Sequence, residues 1–98
     1  MRILWIDPIG TDAFSPDVAS ILRIASLPGT RVDVVSLSEE GRPKHLEYHA
    51  YEALVTGDIV KLVYRLAPEY NAIVIGCFYD VGLFAAREVS GKTVVTAP

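Results

Sequence analysis

Two hydrophobic patterns alternate along this chain: short continuous apolar runs, and longer segments in which apolar residues recur every three or four positions. The runs predict four strands, at residues 2–6, 31–37, 72–77 and 93–96. The longer segments predict four helices, at residues 15–26, 46–55, 59–67 and 81–89. Glycine and proline residues mark the connections between these elements.

Strands that alternate with helices indicate a parallel sheet with right-handed crossovers. We therefore expect an α/β fold of three layers, αβα, with a flavodoxin-like four-stranded parallel sheet in the strand order 2-1-3-4. Residues 1–98 form a single lobe in this interpretation. No helix follows the fourth strand, although an all-parallel sheet needs cover on both faces. We therefore expect a missing C-terminal lobe or a second copy of the chain, that is, a homo-oligomer.

Local signals add detail to the helices. Ser15 is expected to cap the first helix, with Pro16 at its first helical position. One buried stripe is expected on this helix, formed by Val18, Ile21, Leu22 and Ala25. Thr56 and Gly57 are expected to separate the second helix from the third.

The only cysteine, Cys77, ends the most apolar run of the chain. Asp80 is a good cap for the helix that follows, so the thiol is predicted between a buried strand and a helix N-terminus. Ligands bind at this edge of parallel sheets, and a helix N-terminus lowers the pKa of a nearby thiol. In the predicted strand order, residues 7–11 and 77–80 line one crevice. A lone cysteine in this position is also often a packed core residue, so both interpretations stay open.

Composition narrows the classes of function. The 98 residues are 51% hydrophobic and 21% charged, which is typical of an ordered domain. A net charge of −3, with no basic cluster, argues against a nucleic-acid partner. No apolar run is long enough to cross a membrane, and the N-terminus lacks the pattern of a signal peptide. We therefore expect a cytoplasmic protein with no membrane partner.

Two histidines are the strongest hint of a metal. His45 and His49 are four residues apart, a spacing that can bind a metal on a helix, but no third ligand is evident in the sequence. The loop after the first strand also lacks the run of serine and threonine that would cradle a flavin phosphate. We therefore expect neither a metal nor a cofactor.

Four segments of the sequence carry a resemblance to a known family: residues 1–8, 46–54, 75–83 and 85–88. Together they resemble the N-terminal half of the aspartate/glutamate/hydantoin racemase superfamily, in its hydantoin racemase-like branch. The most specific segment is Cys77 to Leu83, which is similar to the family's catalytic Cys-Phe-x-Asp-Pro-Gly-Leu motif. The segment from Met1 to Pro8 resembles the opening strand and the Asn-Pro-Asn-Thr turn that follows it.

The sequence departs from the family pattern at several positions. Asp7 and Ile9 stand where the family usually has asparagine, and Val81 replaces the usual proline. Of the two residues at the threonine positions, Gly10 and Thr11, only Thr11 keeps a hydroxyl.

The resemblance implies a cofactor-independent racemase or epimerase, an isomerase that acts on a small molecule such as an amino acid, a hydantoin or a related acid. Such a reaction removes a proton from one face of a carbon and returns one to the other face, so it needs two acid–base groups. Cys77 is implied as one of the two. The implied substrate-binding residues are Asp7, Gly10, Thr11, Phe78, Tyr79 and Asp80.

Members of the family are about twice as long, and their second cysteine comes from another lobe. The resemblance therefore implies that a missing lobe completes the site, in preference to a second copy of this chain. The alternative is a non-catalytic, flavodoxin-like binding or interaction domain, in which Cys77 is a packing residue.

Overall fold

A computed structural model of the chain describes residues 1–38 and 41–97. Its strands are β1 (Arg2–Asp7), β2 (Arg31–Ser36), β3 (Ala72–Ile75) and β4 (Thr93–Thr96). Its helices are α1 (Ser15–Ala25), α2 (His49–Leu66) and α3 (Leu83–Ser90), and a short 3₁₀ turn, Ala67–Glu69, follows α2. The predicted α/β class is confirmed.

The four strands form one parallel sheet in the order β2-β1-β3-β4, as predicted. The register pairs Ile3 of β1 with Val32 of β2 on one side and with Ala72 of β3 on the other. Because β2 and β3 lie on opposite sides of β1, right-handed crossovers place α1 on one face of the sheet and α2 and α3 on the other. This is the three-layer αβα architecture, and it brings the carboxyl ends of β1 and β3 together.

The core lies between the sheet and the α2–α3 layer. Alternate residues of β1 and β3 point into it, because side chains of a strand alternate between its two faces. Its fully buried members are Leu4, Ile6, Val55, Ile59, Val63, Ile73, Ile75 and Ala86. Each large aliphatic side chain in this group contributes about 1.5–3 kcal/mol by leaving water.

The buried stripe predicted on α1 is wrong. No residue of α1 is buried: Val18 and Leu22 are half-buried, while Ile21 and Ala25 are exposed. The reason is that α1 packs against β2, which is an edge strand, and so has cover on one side only. Ser15 is also the first residue of α1 and not its cap, because Phe14 holds the capping position.

The break predicted at Thr56 and Gly57 is also wrong, since α2 is one continuous helix of 18 residues. Its buried residues, Val55, Ile59 and Val63, continue across the glycine at helical spacing. Their burial outweighs the cost of an internal glycine, which is about 1 kcal/mol relative to alanine. No helix in the described parts of the chain is both long enough and apolar enough to cross a membrane.

The last helix begins later than its sequence predicts. Asp80 does not cap it: Gly82 does, in the left-handed conformation with φ 67°. Asp80 is itself left-handed, with φ 55°, and its carbonyl oxygen accepts a hydrogen bond from Leu83 N at 3.2 Å. The segment between β3 and α3 is therefore a tight loop of residues 76–82, and it carries the cysteine.

Candidate active site

A small cavity opens at the carboxyl edge of the sheet, where β1 and β3 end side by side. Gly76 N donates a hydrogen bond to Ile6 O at 2.7 Å, which holds the two strand ends together. The cavity has a volume of about 160 Å³. The described residues that line it are Asp7, Pro8, Ile9, Leu46, Gly76, Cys77, Phe78 and Tyr79.

Cys77 contributes the thiol of this cavity. The residue is 9% exposed, and its backbone N–H donates to Ile75 O at 2.8 Å. Burial raises the pKa of the thiol, and the negative charges of Glu52 and Asp80 raise it further. The backbone N–H of Tyr79, which points at the sulfur from 3.5 Å, works in the opposite direction. The thiol of Cys77 is therefore protonated at neutral pH in this structure.

A lowered thiol pKa, expected from a helix N-terminus, is thus contradicted. Helix α3 begins only at Leu83, and the backbone N–H groups that act on the sulfur are those of Tyr79 and Phe78, which precede the helix. Of the two acidic residues that raise the pKa of the thiol, Glu52 has the larger effect and comes from α2, a different element of the chain.

Asp7, the last residue of β1, lines the same cavity. Its backbone carbonyl accepts a hydrogen bond from Ile9 N at 2.8 Å. Its carboxylate, in contrast, has no hydrogen-bond or ion-pair partner among residues 1–38 and 41–97. The residue is half-buried, and this burial raises the pKa of the carboxyl above its ordinary value.

Phe78 and Tyr79 form the outer rim of the cavity. They are 76% and 57% exposed, respectively, so their rings face solvent at its mouth. The structure thus brings together four of the seven predicted site residues: Asp7, Cys77, Phe78 and Tyr79.

The other three predicted site residues do not line this cavity. Gly10 packs against the loop before α2: its N–H donates to Pro43 O at 2.6 Å, and a Cβ would lie 2.3 Å from Arg42 O. The Thr11 hydroxyl accepts a hydrogen bond from Ala13 N at 3.1 Å, so it stabilises the turn before α1. A close approach of the backbone explains the glycine at position 10.

Asp80 lies in the loop after the cysteine but points toward β4. Its carboxylate accepts a hydrogen bond from the Thr96 hydroxyl at the end of that strand. This contact links the loop of residues 76–82 to the sheet, which fixes the position of Cys77 relative to the strand ends.

Pro8 and Ile9 lie within residues 7–11, which were predicted at the crevice, but sequence analysis did not single out the lining residues Leu46 and Gly76. Signals for both existed, because Gly76 directly precedes Cys77 and Leu46 opens a segment that carries the family resemblance. Leu46 is 6% exposed and belongs to the core, although it precedes α2 by three residues. Its burial depends on tertiary packing and is not visible in the sequence.

The histidine pair does not form on a helix. His45 precedes α2, and its ring packs against Tyr48 and Tyr51 with centroids 5.7 and 5.1 Å away. His49 is the first residue of α2, and its Nδ1 lies 3.1 Å from Glu52 Oε2. Within residues 1–38 and 41–97, no group of three His, Cys, Asp or Glu side chains is arranged to hold a metal ion.

A larger cleft, of about 410 Å³, lies between the end of β2 and α2. Arg42 and Asp58 form an ion pair there at 2.6 Å, and Lys61 and Arg65 line its wall. None of the predicted site residues lines this cleft, and Cys77 is not part of it. The smaller cavity is therefore the candidate active site.

Fold and cavity together define a parallel α/β lobe with a cysteine and an aspartate lining one cavity near the ends of its two central strands. No family model matches the chain. Over 97 residues it is 34% identical to a hydantoin racemase from Paenarthrobacter aurescens, a match that covers 97% of this chain and 40% of that protein. A hydantoin racemase from Pseudomonas sp. (strain NS671) is 31% identical over 96 residues, with 97% and 38% coverage.

A solved structure agrees with these matches. The allantoin racemase from Klebsiella pneumoniae superposes with a TM-score of 0.87 at 26% identity, over 98% of this chain and 39% of that chain. The resemblance to hydantoin racemases predicted from the sequence is confirmed along the whole chain. The chain spans about 40% of the length of the relative from Paenarthrobacter aurescens.

Proposed function

We propose that this chain supplies one lobe, and one of two acid–base groups, of a cofactor-independent racemase. The observation that carries the proposal is that Cys77, in the segment most similar to the racemase motif, lines a cavity at the carboxyl edge of the sheet. The racemase names of the matched relatives support the same reaction class. The substrate is a small molecule with an acidic C–H next to a carbonyl group, such as a hydantoin or an amino acid.

In this mechanism Cys77 gives a proton to, or takes one from, the substrate carbon. Burial keeps the sulfur protonated at neutral pH, which is the form that donates a proton to a carbanion. In the reverse direction the thiolate accepts the proton, and the N–H of Tyr79, directed at the sulfur, stabilises that negative charge.

A second acid–base group must act from the opposite face of the substrate carbon. The relatives are more than twice as long as the matched region, which supports a second lobe of the same polypeptide as its source. A second copy of this chain is the other source. Light scattering on the protein that carries this chain separates the two: a monomer that racemises excludes the second copy.

The test of the proposed reaction is proton–deuteron exchange at the substrate carbon in D₂O, followed by proton NMR over a panel of hydantoins and amino acids. Cys77→Ser should lower the exchange rate by about 1,000-fold, since it removes an acid–base group. Ala86→Ser is the matched control, because it also adds a hydroxyl at a buried position and lies outside the cavity. Equal exchange by wild type and Cys77→Ser would refute the proposal.

The second candidate is a non-catalytic binding domain, and the raised pKa of Cys77 favours it. The two candidates differ in how accessible the sulfur is to a small reagent. A racemase requires that iodoacetamide alkylates Cys77 in the folded protein and that a bound substrate slows the reaction. Alkylation only as fast as global unfolding identifies a packing residue instead.

A further inference from the structure

The cleft between the end of β2 and α2 gathers positive charges that are far apart in the sequence. Three of the nine lysine and arginine residues line it: Arg42 from the loop before α2, and Lys61 and Arg65 from α2 itself. Asp58 is the only acidic residue in the described lining. The cleft is therefore positively charged in a chain whose net charge is −3.

The two cations on α2 have no partner of opposite charge. Asp58 already forms an ion pair with Arg42 at 2.6 Å. The side chains of Lys61 and Arg65 make neither a hydrogen bond nor an ion pair with another residue in the described parts of the chain. They are four residues apart on the helix, where like charges repel and destabilise it. An anion bound between them removes this repulsion.

The opposite side of the cleft offers neutral hydrogen-bond donors. Ser36, the last residue of β2, and Ser38 line it, and neither hydroxyl is hydrogen-bonded to a described residue. They lie at the carboxyl edge of the sheet, the edge at which parallel sheets bind ligands. On the helix side, Asp58, Lys61 and Arg65 share one face because they recur at intervals of three and four residues. Cations and hydroxyls thus meet across one cleft.

This set of groups fits a small oxyanion with two charges. Ammonium and guanidinium groups donate charge-assisted hydrogen bonds to phosphate oxygens, and serine hydroxyls donate further ones. A volume of about 410 Å³ holds a phosphate group with a small organic part attached. A nucleic acid, in contrast, needs cations along its whole length, and the net charge of −3 opposes its approach.

We propose that this cleft binds a small phosphate dianion, either free phosphate or the phosphate group of a small phosphomonoester. Lys61 and Arg65 hold the charge, the hydroxyls of Ser36 and Ser38 orient the oxygens, and Arg42 adds to the positive field. The site shares no described lining residue with the cavity that contains Cys77, so the proposal goes beyond the racemase and does not depend on it.

The test is an NMR titration of the whole protein with inorganic phosphate at constant ionic strength. We expect saturable backbone amide shifts at Ser36, Lys61 and Arg65 but not at Cys77, with a dissociation constant of about 1 mM, as a few hydrogen bonds at an open site provide. Acetate, with one charge and fewer oxygens, should bind at least about 10-fold more weakly. Glycerol 1-phosphate distinguishes the two sources: tighter binding identifies a phosphomonoester, and equal binding identifies free phosphate.

Lys61→Gln and Arg65→Gln are the test variants, because each removes one charge and keeps a good helix former. Each should weaken phosphate binding about 10-fold, the size of one hydrogen bond to a charged group. Arg65→Lys keeps the charge and should lose less. Arg23→Gln is the matched control, since it removes the same charge from an exposed residue of α1 outside the cleft. It should leave the affinity unchanged.

Two results would overturn the inference: phosphate shifts that do not saturate, or an equal loss of affinity in Arg23→Gln and Lys61→Gln, which would leave net charge as the only cause. Lys61 and Arg65 are exposed, so their variants should fold like wild type, which circular dichroism checks. Because the titration needs no turnover, its failure leaves the racemase proposal intact, and a failed exchange assay leaves the phosphate site intact.

Discussion

The aspartates at the two edges of the sheet differ in whether other residues pair with their carboxylates. Near the amino-terminal edge, Asp33 of β2 accepts hydrogen bonds from Arg31 at 2.8 Å and from the Tyr70 hydroxyl at 2.7 Å. The Arg2 guanidinium lies over the Tyr70 ring, 5.2 Å from its centroid. At the carboxyl-terminal edge, Asp7 of β1 lines the same cavity as Cys77, and its carboxylate pairs with none of the described residues.

The same contrast appears in proton affinity. Hydrogen bonds from Arg31 and Tyr70 lower the pKa of Asp33 to about 2, whereas burial without partners raises the pKa of Asp7. One edge has satisfied its polar groups internally and stabilises the fold. The other edge holds the cavity with Cys77, and both Asp7 and Cys77 there have raised pKa values, a perturbation that is common at functional sites.

The largest expected effect comes from filling space at the carboxyl-terminal edge. A Cβ at Gly76 would lie 2.4 Å from Trp5 Nε1 and 2.7 Å from Trp5 Cε2, so Gly76→Ala must displace the indole or the loop that carries Cys77. We expect it to lower the free energy of unfolding by about 2–3 kcal/mol and to change the rate at which iodoacetamide alkylates Cys77. Urea denaturation measures the first effect, and the alkylation rate of the folded protein measures the second.

Gly57→Ala is the control for this change. A Cβ at Gly57, in the middle of α2, meets no atom within 4 Å. The substitution should stabilise the protein by about 0.5–1 kcal/mol, because alanine is the better helix former. If both alanines cost the same, the close contact with Trp5 is not what constrains position 76.

A smaller loss of stability is expected from substitutions at the amino-terminal edge. Tyr70→Phe removes one hydrogen bond to the Asp33 carboxylate, and Asp33→Asn removes its charge. Each should cost about 1 kcal/mol of stability at pH 7, a value reduced by the partial exposure of the cluster. Neither should change the rate at which iodoacetamide alkylates Cys77 in the folded protein, and a changed rate would show that the two edges are not independent.

The pH dependence of this cluster has a definite sign. Because the folded-state pKa of Asp33 is lowered to about 2 from 3.8, its contribution is present above pH 4 and is lost as the pH falls toward 2. Thermal unfolding of wild type and Asp33→Asn should therefore differ at pH 5 and converge near pH 2. A difference that persists unchanged at pH 2 would contradict the assignment.

A smaller effect of opposite sign is expected for Asp7. Its folded-state pKa is raised, so the ionised carboxylate costs stability at neutral pH, and Asp7→Asn should stabilise the protein by about 0.5 kcal/mol or less. The gain should shrink as the pH falls through the raised pKa of Asp7 and disappear well below 3.8, where the wild-type carboxyl is protonated in both states. Destabilisation at pH 7 would mean that the carboxylate has a favourable partner.

The smallest effect concerns the thiol itself. Burial is the main cause of the raised pKa of Cys77, and the charge of Glu52 is a secondary cause. Glu52→Gln should move the midpoint of the iodoacetamide rate–pH profile slightly downward, while Glu47→Gln, at an exposed residue, should not. A midpoint that moves equally in both variants would show that only the net charge matters.

How much of the structure the sequence predicts depends on whether a feature is set by local sequence signals or by contacts between distant parts of the chain. Apolar runs and their spacing were enough for the sheet order, because strand burial and crossover handedness are general properties. The predicted helix boundaries and buried faces were wrong where tertiary packing overrides local signals. Gly57 stays helical because the buried residues of α2 continue across it, and Ile21 is exposed because α1 covers only an edge strand.

The site shows the same limit. That Asp7 and Cys77 line one cavity follows from strand order, since Asp7 ends β1 and Cys77 lies two residues after the end of the adjacent strand β3. The direction in which the pKa of the Cys77 thiol shifts does not follow from strand order, because it depends on burial and on Glu52 from a distant part of the chain. Gly10 and Thr11 look like binding residues in the sequence, but their contacts in the structure are with the neighbouring loops.

Trp5 is the only tryptophan of the chain, and its indole lies against the backbone of Gly76, the residue before Cys77. Its fluorescence is therefore an intrinsic optical reporter of events at the sulfur, one that requires no attached dye. Quenching or a spectral shift on alkylation would let stopped-flow instruments follow the cavity in the unmodified protein, on the timescale of ligand entry.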